Sequence, residues 1–122
     1  MSPGLENKLY EDFPSLFANR EYPSSPMVFG CECGDGWHGI ILSACRRISF
    51  HEANAGRSDF RFSQVKEKWG TLRLYCTGGD EFVMGVISMA EAMSAVTCER
   101  CGAPGETNDS GWLSTLCEGC RK

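Results

Sequence analysis

The tail of the chain carries two Cys-x-x-Cys pairs, and they constrain its fold more than any other feature. The pairs are Cys98 with Cys101 and Cys117 with Cys120, and 15 residues separate them. Each short turn lets two thiolates converge on one ion, and a hairpin in the intervening residues would bring the two turns together. Four sulfur ligands complete the tetrahedron that Zn²⁺ prefers and leave no open position for catalysis. We therefore expect one structural zinc ion bound by these four cysteines.

The small size of the tail supports the same expectation. Residues 96–122 are too few to bury a stabilising core of their own, so a bound metal must supply much of their folding free energy. Zinc contributes roughly 10–16 kcal/mol in small zinc-binding peptides. A pair of redox-active motifs is the alternative, but such a motif normally lies at the N-terminus of a helix. We expect a zinc-binding unit over residues 96–122, appended to a body of residues 1–95.

The other cysteines bear on the compartment. The chain has eight cysteines, and a disulfide scaffold would require an oxidising compartment. The first residues lack the pattern of a signal peptide, and no apolar run approaches the roughly 18 residues of a membrane span. We therefore expect a cytoplasmic protein in which Cys31, Cys33, Cys45 and Cys76 are buried or without function. Two alternatives remain: a second metal site that adds His38 to Cys31 and Cys33, and a Cys–His nucleophilic pair.

The hydrophobic pattern of residues 1–95 predicts helices at the start of the body. Apolar residues at helical spacing predict a first helix that Pro14 ends, followed by a loop over residues 18–34. Asp35 is a good N-cap for a second helix, which should end before a loop over residues 52–59. The apolar face of this second helix comprises Trp37, Ile40, Ile41, Ala44 and Ile48.

A β-hairpin should follow the second helix. Two strand patterns, over residues 60–67 and 71–76, are joined by a short connector that contains a glycine. The first strand alternates imperfectly, because Phe60 and Phe62 share one face while Val65 lies on the other. A bulge or a change of phase would explain this irregularity, and the sequence does not decide between them.

A third helix should begin after the hairpin. Asp80 is the expected N-cap, and Glu81 is favourable in the first turn. The predicted buried face comprises Phe82, Val83, Val86, Ile87, Ala90 and Met93. The predicted fold class is thus α+β, with a small antiparallel hairpin or sheet packed by about three helices and a C-terminal four-cysteine unit that resembles a zinc ribbon.

The charge of the chain is unevenly distributed. The net charge is −4 overall, and it is −4 over residues 1–45, +4 over residues 46–73 and −4 over residues 74–122. A protein that binds nucleic acid through the phosphates usually carries a net positive charge. A surface of both signs therefore fits a protein partner better than it fits nucleic acid.

The predicted hairpin carries the most distinctive surface side chains. They are Arg61, Lys66, Lys68, Trp69 and Arg73. Arginine and tryptophan are enriched among the residues that dominate protein interfaces, so we take these five as candidate partner-binding residues. A solvated hairpin without a partner is one alternative. Nucleic-acid binding, with a base stacked on Trp69, is another.

Three segments form a recognisable set that extends over about residues 29–121. They are Cys33-Gly34-Asp35-Gly36-Trp37, the hairpin segment Gln64-Val65-Lys66-Glu67-Lys68-Trp69-Gly70-Thr71-Leu72-Arg73-Leu74-Tyr75, and Ala90-Glu91-Ala92-Met93-Ser94 leading into the four-cysteine tail. Together they resemble a family of small proteins encoded by bacteriophages and prophages. The hairpin segment is the most distinctive part of this resemblance.

The resemblance implies a biological setting rather than a reaction, and it carries over no catalytic residues. Small phage accessory proteins often bind a host protein and block it, including the nuclease complexes of CRISPR and other defence systems. We therefore expect a non-enzymatic accessory protein, in the bacterial cytoplasm, that inhibits or redirects a host protein, and a CRISPR-type defence complex is the sharpest form of this hypothesis. The alternatives are a zinc-stabilised, transcription-regulating nucleic-acid binder and a cysteine-dependent enzyme.

Overall fold

The computed structural model describes residues 1–122 and has the predicted α+β class. A three-stranded sheet lies in the body, and a separate two-stranded sheet lies in the tail. No helix combines the length and the apolar composition that crossing a membrane requires. In chain order the elements are α1 Pro3–Asp12, β1 Cys31–Glu32, α2 His38–Ala55, β2 Arg61–Lys68, β3 Thr71–Thr77, α3 Glu81–Ser94, β4 Glu106–Thr107, β5 Thr115–Leu116 and α4 Glu118–Arg121.

A core of 20 buried residues joins the helices of the body to its sheet. Trp37 and Ile48 of the α2 region are fully buried, as are Phe62 and Leu72 of the sheet. Phe62 also contacts Phe17, with 5.0 Å between the two ring centroids. Such large apolar side chains each stabilise the fold by roughly 1.5–3 kcal/mol when they leave water. The body is therefore a conventional hydrophobic unit.

The segment predicted as a loop over residues 18–34 contains a short strand instead. In β1, Cys31 pairs with Val65 and Glu32 pairs with Lys66, so β1 runs parallel to β2 at one edge of the sheet. The Glu6 carboxylate accepts a hydrogen bond from the backbone N–H of Cys31 on the outer side of this strand. The strand was missed because two residues are too few to show an alternating pattern.

The second helix begins and ends differently from the prediction. Asp35 does not cap it: its carboxylate accepts a 2.7 Å hydrogen bond from the backbone N–H of Ser2, and a 3₁₀ turn over Asp35–Trp37 precedes α2. The helix continues to Ala55, which lies inside the predicted loop of residues 52–59. It ends at Gly56, which adopts a left-handed conformation with φ +67°. The left-handed glycine, rather than the first polar residues, therefore sets the end of the helix.

The predicted hairpin is confirmed, and a bulge resolves its irregular first strand. The pairing register shifts between Phe62 and Gln64, so one extra residue lies between two buried positions. Because of this shift, Phe62 and Val65 both face the core and are fully buried. Trp69 and Gly70 form the turn with φ +53° and +87°, the positive values that a tight two-residue hairpin turn requires.

The free edge of β3 is covered by side chains from α3. The hydroxyl of Ser94 accepts a 2.8 Å hydrogen bond from the backbone N–H of Leu72, and the Glu91 carboxylate accepts one of 2.9 Å from Leu74. An uncovered edge would expose these donors to pairing with another chain. The segment Ala90–Ser94 therefore has a structural role in protecting the sheet.

The start of α3 is as predicted, but its buried face is rotated. The Asp80 carboxylate caps the helix by accepting a 3.1 Å hydrogen bond from the backbone N–H of Val83. Phe82 and Met93, predicted as buried, are 42% and 46% exposed. The residues that α3 buries are Val83, Ile87, Ala90 and Ser94. Ser94 replaces an apolar residue on this face because its hydroxyl satisfies the edge of β3.

Candidate metal centre

The four tail cysteines come together as the spacing predicts. The Sγ atoms of Cys98, Cys101, Cys117 and Cys120 all lie within 4.8 Å of one another, and those of Cys101 and Cys117 are 3.6 Å apart. Four thiolates bound to one zinc ion would lie roughly 3.8 Å apart, given Zn–S distances of about 2.3 Å. All eight cysteines are free thiols. The tail therefore presents a four-sulfur group that could hold a metal ion.

Short backbone turns on both sides place these ligands. The N–H of Gly102, a residue with φ +81°, donates a 2.9 Å hydrogen bond to the carbonyl of Cys98 and closes the first turn. On the other side, Cys117 is the N-cap of α4, and its Sγ accepts a 3.4 Å hydrogen bond from the N–H of Cys120. Strands β4 and β5 pair antiparallel between the two turns. The tail thus has the hairpin connection that convergence of the two cysteine pairs requires.

Without a metal ion, the electrostatics of the cluster favour ionisation of one cysteine and disfavour ionisation of several cysteines at once. Burial alone would raise the pKa of Cys98, but the backbone N–H groups of Cys117, Cys101 and Arg100 outweigh it and lower that pKa to about 6. The neighbouring sulfurs of Cys117, Cys101 and Cys98 raise the pKa of Cys120 to about 12. A divalent cation would supply the positive charge that lets all four thiolates form together.

The first cysteine turn is docked onto Gly34–Trp37, which we call the docking segment. The backbone N–H of Gly36 donates a 2.7 Å hydrogen bond to the carbonyl of Glu99, and that of Gly34 donates one of 2.8 Å to the Glu99 carboxylate. The indole N–H of the buried Trp37 donates a 2.8 Å hydrogen bond to the carbonyl of Thr97. These bonds fix the metal-binding turn to the start of α2.

The glycines of the docking segment are required by this close approach. A Cβ on Gly36 would overlap the carbonyl oxygen of Cys98, and a Cβ on Gly34 would overlap that of Glu99. Cys98 is fully buried at this contact, although it belongs to the tail. Docking of the tail therefore explains Gly34, Gly36 and Trp37 within the distinctive Cys33–Trp37 segment.

The tail also contacts the hairpin turn. The hydroxyl of Thr115 donates a 2.6 Å hydrogen bond to the carbonyl of Gly70, and Thr115 is fully buried. The hydroxyl of Thr107 donates a 3.3 Å hydrogen bond to the carbonyl of Ala95. Thr107 and Thr115 are paired with each other across β4 and β5, so one end of the two-stranded tail sheet makes both contacts with the expected body.

The remaining cysteines lie outside the metal group, in the body. Burial raises the pKa of Cys31 and of Cys33 to about 12, and it raises those of Cys45 and Cys76 as well. Raised pKa values keep these thiols protonated at neutral pH, which weakens them as nucleophiles and as ligands. The structure does not bring His38 into a metal-binding group with Cys31 and Cys33.

The structure brings together four of the five predicted partner-binding residues. Lys66 and Arg73 are paired directly across β2 and β3. Lys68 lies with its Nζ 5.1 Å from the ring centroid of Trp69, which is 70% exposed at the turn. Arg61 lies at the opposite end of β2, about 23 Å from Lys68 at the usual rise of a strand. The Arg61 guanidinium also donates hydrogen bonds to two backbone carbonyls, so it belongs to a separate part of the surface.

Trp112 was not among the predicted partner-binding residues, but it is 86% exposed. The second strand of the tail hairpin is limited to Thr115–Leu116, and Trp112 lies on the preceding loop. Trp112 and Trp69 flank a cleft of about 500 Å³ between the tail and the hairpin turn, which we call the tryptophan cleft. The glycine at position 111 was the sequence signal for a turn here, and in the structure it adopts a positive φ of +69°.

The loop that presents Trp112 is held by one asparagine. The side-chain amide of Asn108 donates hydrogen bonds of 2.8 Å to the carbonyl of Ser110 and 2.9 Å to that of Trp112. Its carbonyl oxygen accepts a 2.6 Å hydrogen bond from the N–H of Ser114. The backbone of the loop is thus held by three hydrogen bonds within the chain.

The fold and the cluster define a small α+β protein with a candidate four-cysteine metal centre. No protein-family model, curated protein or solved structure matches this chain.

Proposed function

We propose that this chain is a non-enzymatic binding protein, stabilised by one structural zinc ion, whose partner is a bacterial host protein. The observation that carries the proposal is the tryptophan cleft, in which two exposed indoles are held on fixed backbone. Tryptophan is among the residues that most often dominate the binding energy of a protein interface. The resemblance to phage and prophage proteins supports a host target, with a CRISPR-type defence complex as the sharpest form of the proposal.

Zinc is the metal that fits the donor set. Four thiolates are soft ligands in a closed tetrahedral arrangement, which suits zinc or iron and disfavours magnesium and calcium. A structural role needs no redox chemistry, and zinc has none. Elemental analysis of protein purified without added metal should find about one zinc per chain. One iron per chain, or no metal, would contradict the proposed cofactor.

Pre-organisation is the physical reason why the tryptophan cleft would bind well. Thr115 ties the tail to the carbonyl of Gly70, directly beside Trp69. Asn108 holds the Trp112 loop, and the metal centre holds the strand that follows it. A partner therefore need not order the backbone that carries these indoles, which removes part of the entropic cost of association.

Affinity capture with a tagged chain in a bacterial lysate tests the proposal. We expect the unmodified chain to recover one host protein in a stoichiometric amount. A chain with Trp69→Asn and Trp112→Ala should recover at least about tenfold less, because two anchor residues are lost. Asparagine at position 69 keeps a turn residue that accepts a positive φ, so the hairpin should persist. Phe29→Ala is the matched control, because Phe29 is 73% exposed on another part of the surface.

Two results would contradict this function. One is the absence of any stoichiometric partner under several host growth conditions. The other is equal recovery by the double variant and by the unmodified chain, since the cleft would then have no part in binding. Mass spectrometry of the captured protein identifies the target, and an activity assay of that target distinguishes inhibition from redirection.

Nucleic-acid binding is a second candidate function, and it is favoured by two cationic side chains that are paired across the hairpin. Lys66 and Arg73 form no ion pair with a carboxylate, so both charges are available to phosphates. The two exposed tryptophans could stack bases beside them. A gel shift of single-stranded DNA or RNA at low salt, lost in Lys66→Glu with Arg73→Glu, would support it. No shift at low salt would remove it, because phosphate contacts are strongest there.

A further inference from the structure

Helices α2 and α3 enclose an apolar groove of about 470 Å³ that shares no residue with the tryptophan cleft. On α3 the lining residues recur every three or four positions, which is the spacing of one helix face. Two residues of the predicted buried face of α3, Phe82 and Met93, line this groove and are exposed. Besides Glu81 at its start, the lining residues on α3 are Phe82, Gly85, Val86, Met89, Ala90 and Met93.

The apolar side chains at this groove are unusually exposed. Met89 is 62% exposed, and Phe82 and Met93 are 42% and 46% exposed on the same face of α3. The stripe continues over three turns, or roughly 16 Å of helix. A contiguous apolar surface of this kind typically marks an interaction site, because isolated side chains are common but continuous stripes are not.

Gly85 leaves room for another helix to approach this face closely. It lies inside α3, where glycine weakens a helix. A Cβ at Gly85 would meet no atom within 4 Å, so packing within the chain does not require glycine there. A close approach by a helix from another molecule would require it.

Two unpaired charges border the same groove. Arg47 of α2 and Glu81 of α3 both line it, and neither forms an ion pair within the chain. The Arg47 guanidinium lies 5.7 Å from the ring centroid of Phe50 and 5.9 Å from that of Phe82. The groove thus carries one free cation and one free anion beside an apolar stripe.

We propose that the occupant of this groove is a second copy of the chain, so that α3 of each copy packs against the groove of the other. A two-fold axis that passes between Arg47 and Glu81, beside Phe82, brings Arg47 of each copy to Glu81 of the other. A foreign helix would have to supply an anion and a cation in matching positions, whereas a second copy supplies both by symmetry. Gly85 gives the room that two crossing helices need.

Sedimentation equilibrium of the full chain, from micromolar to submillimolar concentration, tests the dimer. We expect a concentration-dependent dimer whose Kd rises at least about tenfold in Met89→Glu, because the charge would be buried in the apolar interface. Met84→Glu is the matched control: Met84 is 43% exposed on the same helix but does not line the groove, so its Kd should not change. Thermal melting of both variants identifies any loss of folding.

Charge reversal distinguishes the two-fold dimer from other uses of the groove. Arg47→Glu alone and Glu81→Arg alone should each weaken the dimer, because like charges then face each other. An equimolar mixture of the two variants should restore it, since each heterodimer regains two opposite-charge pairs. A mixture that stays monomeric, or an unmodified chain that is monomeric throughout, would overturn the proposal. A monomer whose Met89→Glu variant loses a captured protein would assign the groove to a foreign helix instead.

Discussion

The body and the tail differ in how many side chains each one buries. The core cluster of 20 buried residues lies entirely between Leu9 and Ala90. Within residues 96–122, only Cys98 and Thr115 are buried, and both lie at contacts with the body. Apolar burial can therefore fix the body, whereas the tail must depend on its metal ligands and on hydrogen bonds to the docking segment and the hairpin turn.

This difference shows how one chain can combine a stable scaffold with an exposed recognition loop. A core that buried Trp112 would hide the side chain that we propose as an anchor. Four cysteines that bind one metal ion would order the same region without burying it, since metal coordination needs few residues. The region that makes the tryptophan cleft possible is thus the region with almost no core.

Removal of one metal ligand should have the largest effect. Cys117→Ser should abolish metal binding, and the tail should lose stabilisation on the order of 10 kcal/mol, the scale of structural zinc binding. Hydrogen exchange should then show rapid exchange in residues 96–122 and retained protection in α2 and β2. Cys76→Ser is the control, because Cys76 lies outside the metal group, and it should keep one metal ion per chain.

The proposed difference between the two regions would be wrong if body and tail lost their protection from hydrogen exchange together in Cys117→Ser. That result would mean that the docked tail contributes to the core as much as the helices do. Chelation by EDTA provides an independent check without mutation. A chain whose exchange pattern does not change after chelation would contradict a metal-stabilised tail.

A large-to-small substitution in the core should destabilise the body and leave metal binding in the tail unchanged. Phe62→Ala removes a fully buried ring and should lower the free energy of unfolding by about 3–5 kcal/mol, through lost burial and the cavity that remains. Its metal content should stay at one ion per chain. The control Phe29→Ala should cost less than about 0.5 kcal/mol, since Phe29 is exposed. Urea denaturation measures both, and loss of metal in Phe62→Ala would show that the tail cannot hold its ion without an intact core.

The features that could be predicted from the sequence depend on local chemistry. The cysteine pairs identify their own ligand group, and Asp80 caps α3 as its position indicates. The hairpin was predictable from its alternation and its glycine turn. In each case the residues that define the feature lie close together in the chain or belong to a known ligand spacing.

The features that could not be predicted depend on contacts distant in sequence. Strand β1 exists because Cys31 meets Val65, 34 positions later in the sequence. The rotation of α3 exposes Phe82 because Ser94 must satisfy the edge of β3, which periodicity alone does not reveal.

Insertion of one methyl group should test the contact between the two regions. Gly36→Ala places a Cβ against the carbonyl of Cys98 and should cost about 1–3 kcal/mol through forced backbone displacement. Gly39→Ala is the matched control: a Cβ there meets no atom within 4 Å, so the change should be neutral or slightly stabilising. Thermal melting with and without EDTA should show that Gly36→Ala lowers the stability only when the metal-bound tail is present. If Gly36→Ala lowers the stability equally after chelation, the added Cβ must instead disturb contacts within the body.

Acid denaturation should show the smallest effect, and it should be confined to the body. The Asp80 carboxylate lies 2.7 Å from Nε2 of His51, and this hydrogen bond, together with the N–H of Val83, lowers the pKa of Asp80 from its ordinary 3.8. A carboxyl with a lowered pKa in the folded state stabilises the fold above its ordinary pKa and loses that contribution as the pH falls through the lowered value.

Asp80→Asn should therefore reduce the dependence of unfolding on pH below about 4, while Asn retains the helix cap at neutral pH. Urea denaturation followed by circular dichroism at a series of pH values measures this, because the helices of the body dominate the signal. Asp109→Asn, at an exposed residue of the tail, is the control and should leave the dependence unchanged. Acid also releases metal as the cysteine thiolates are protonated, but that loss is common to all three proteins and cancels in the difference. An identical pH dependence in Asp80→Asn and the unmodified chain would mean that the His51 contact adds nothing to the body, whose acid stability would then rest on its apolar core.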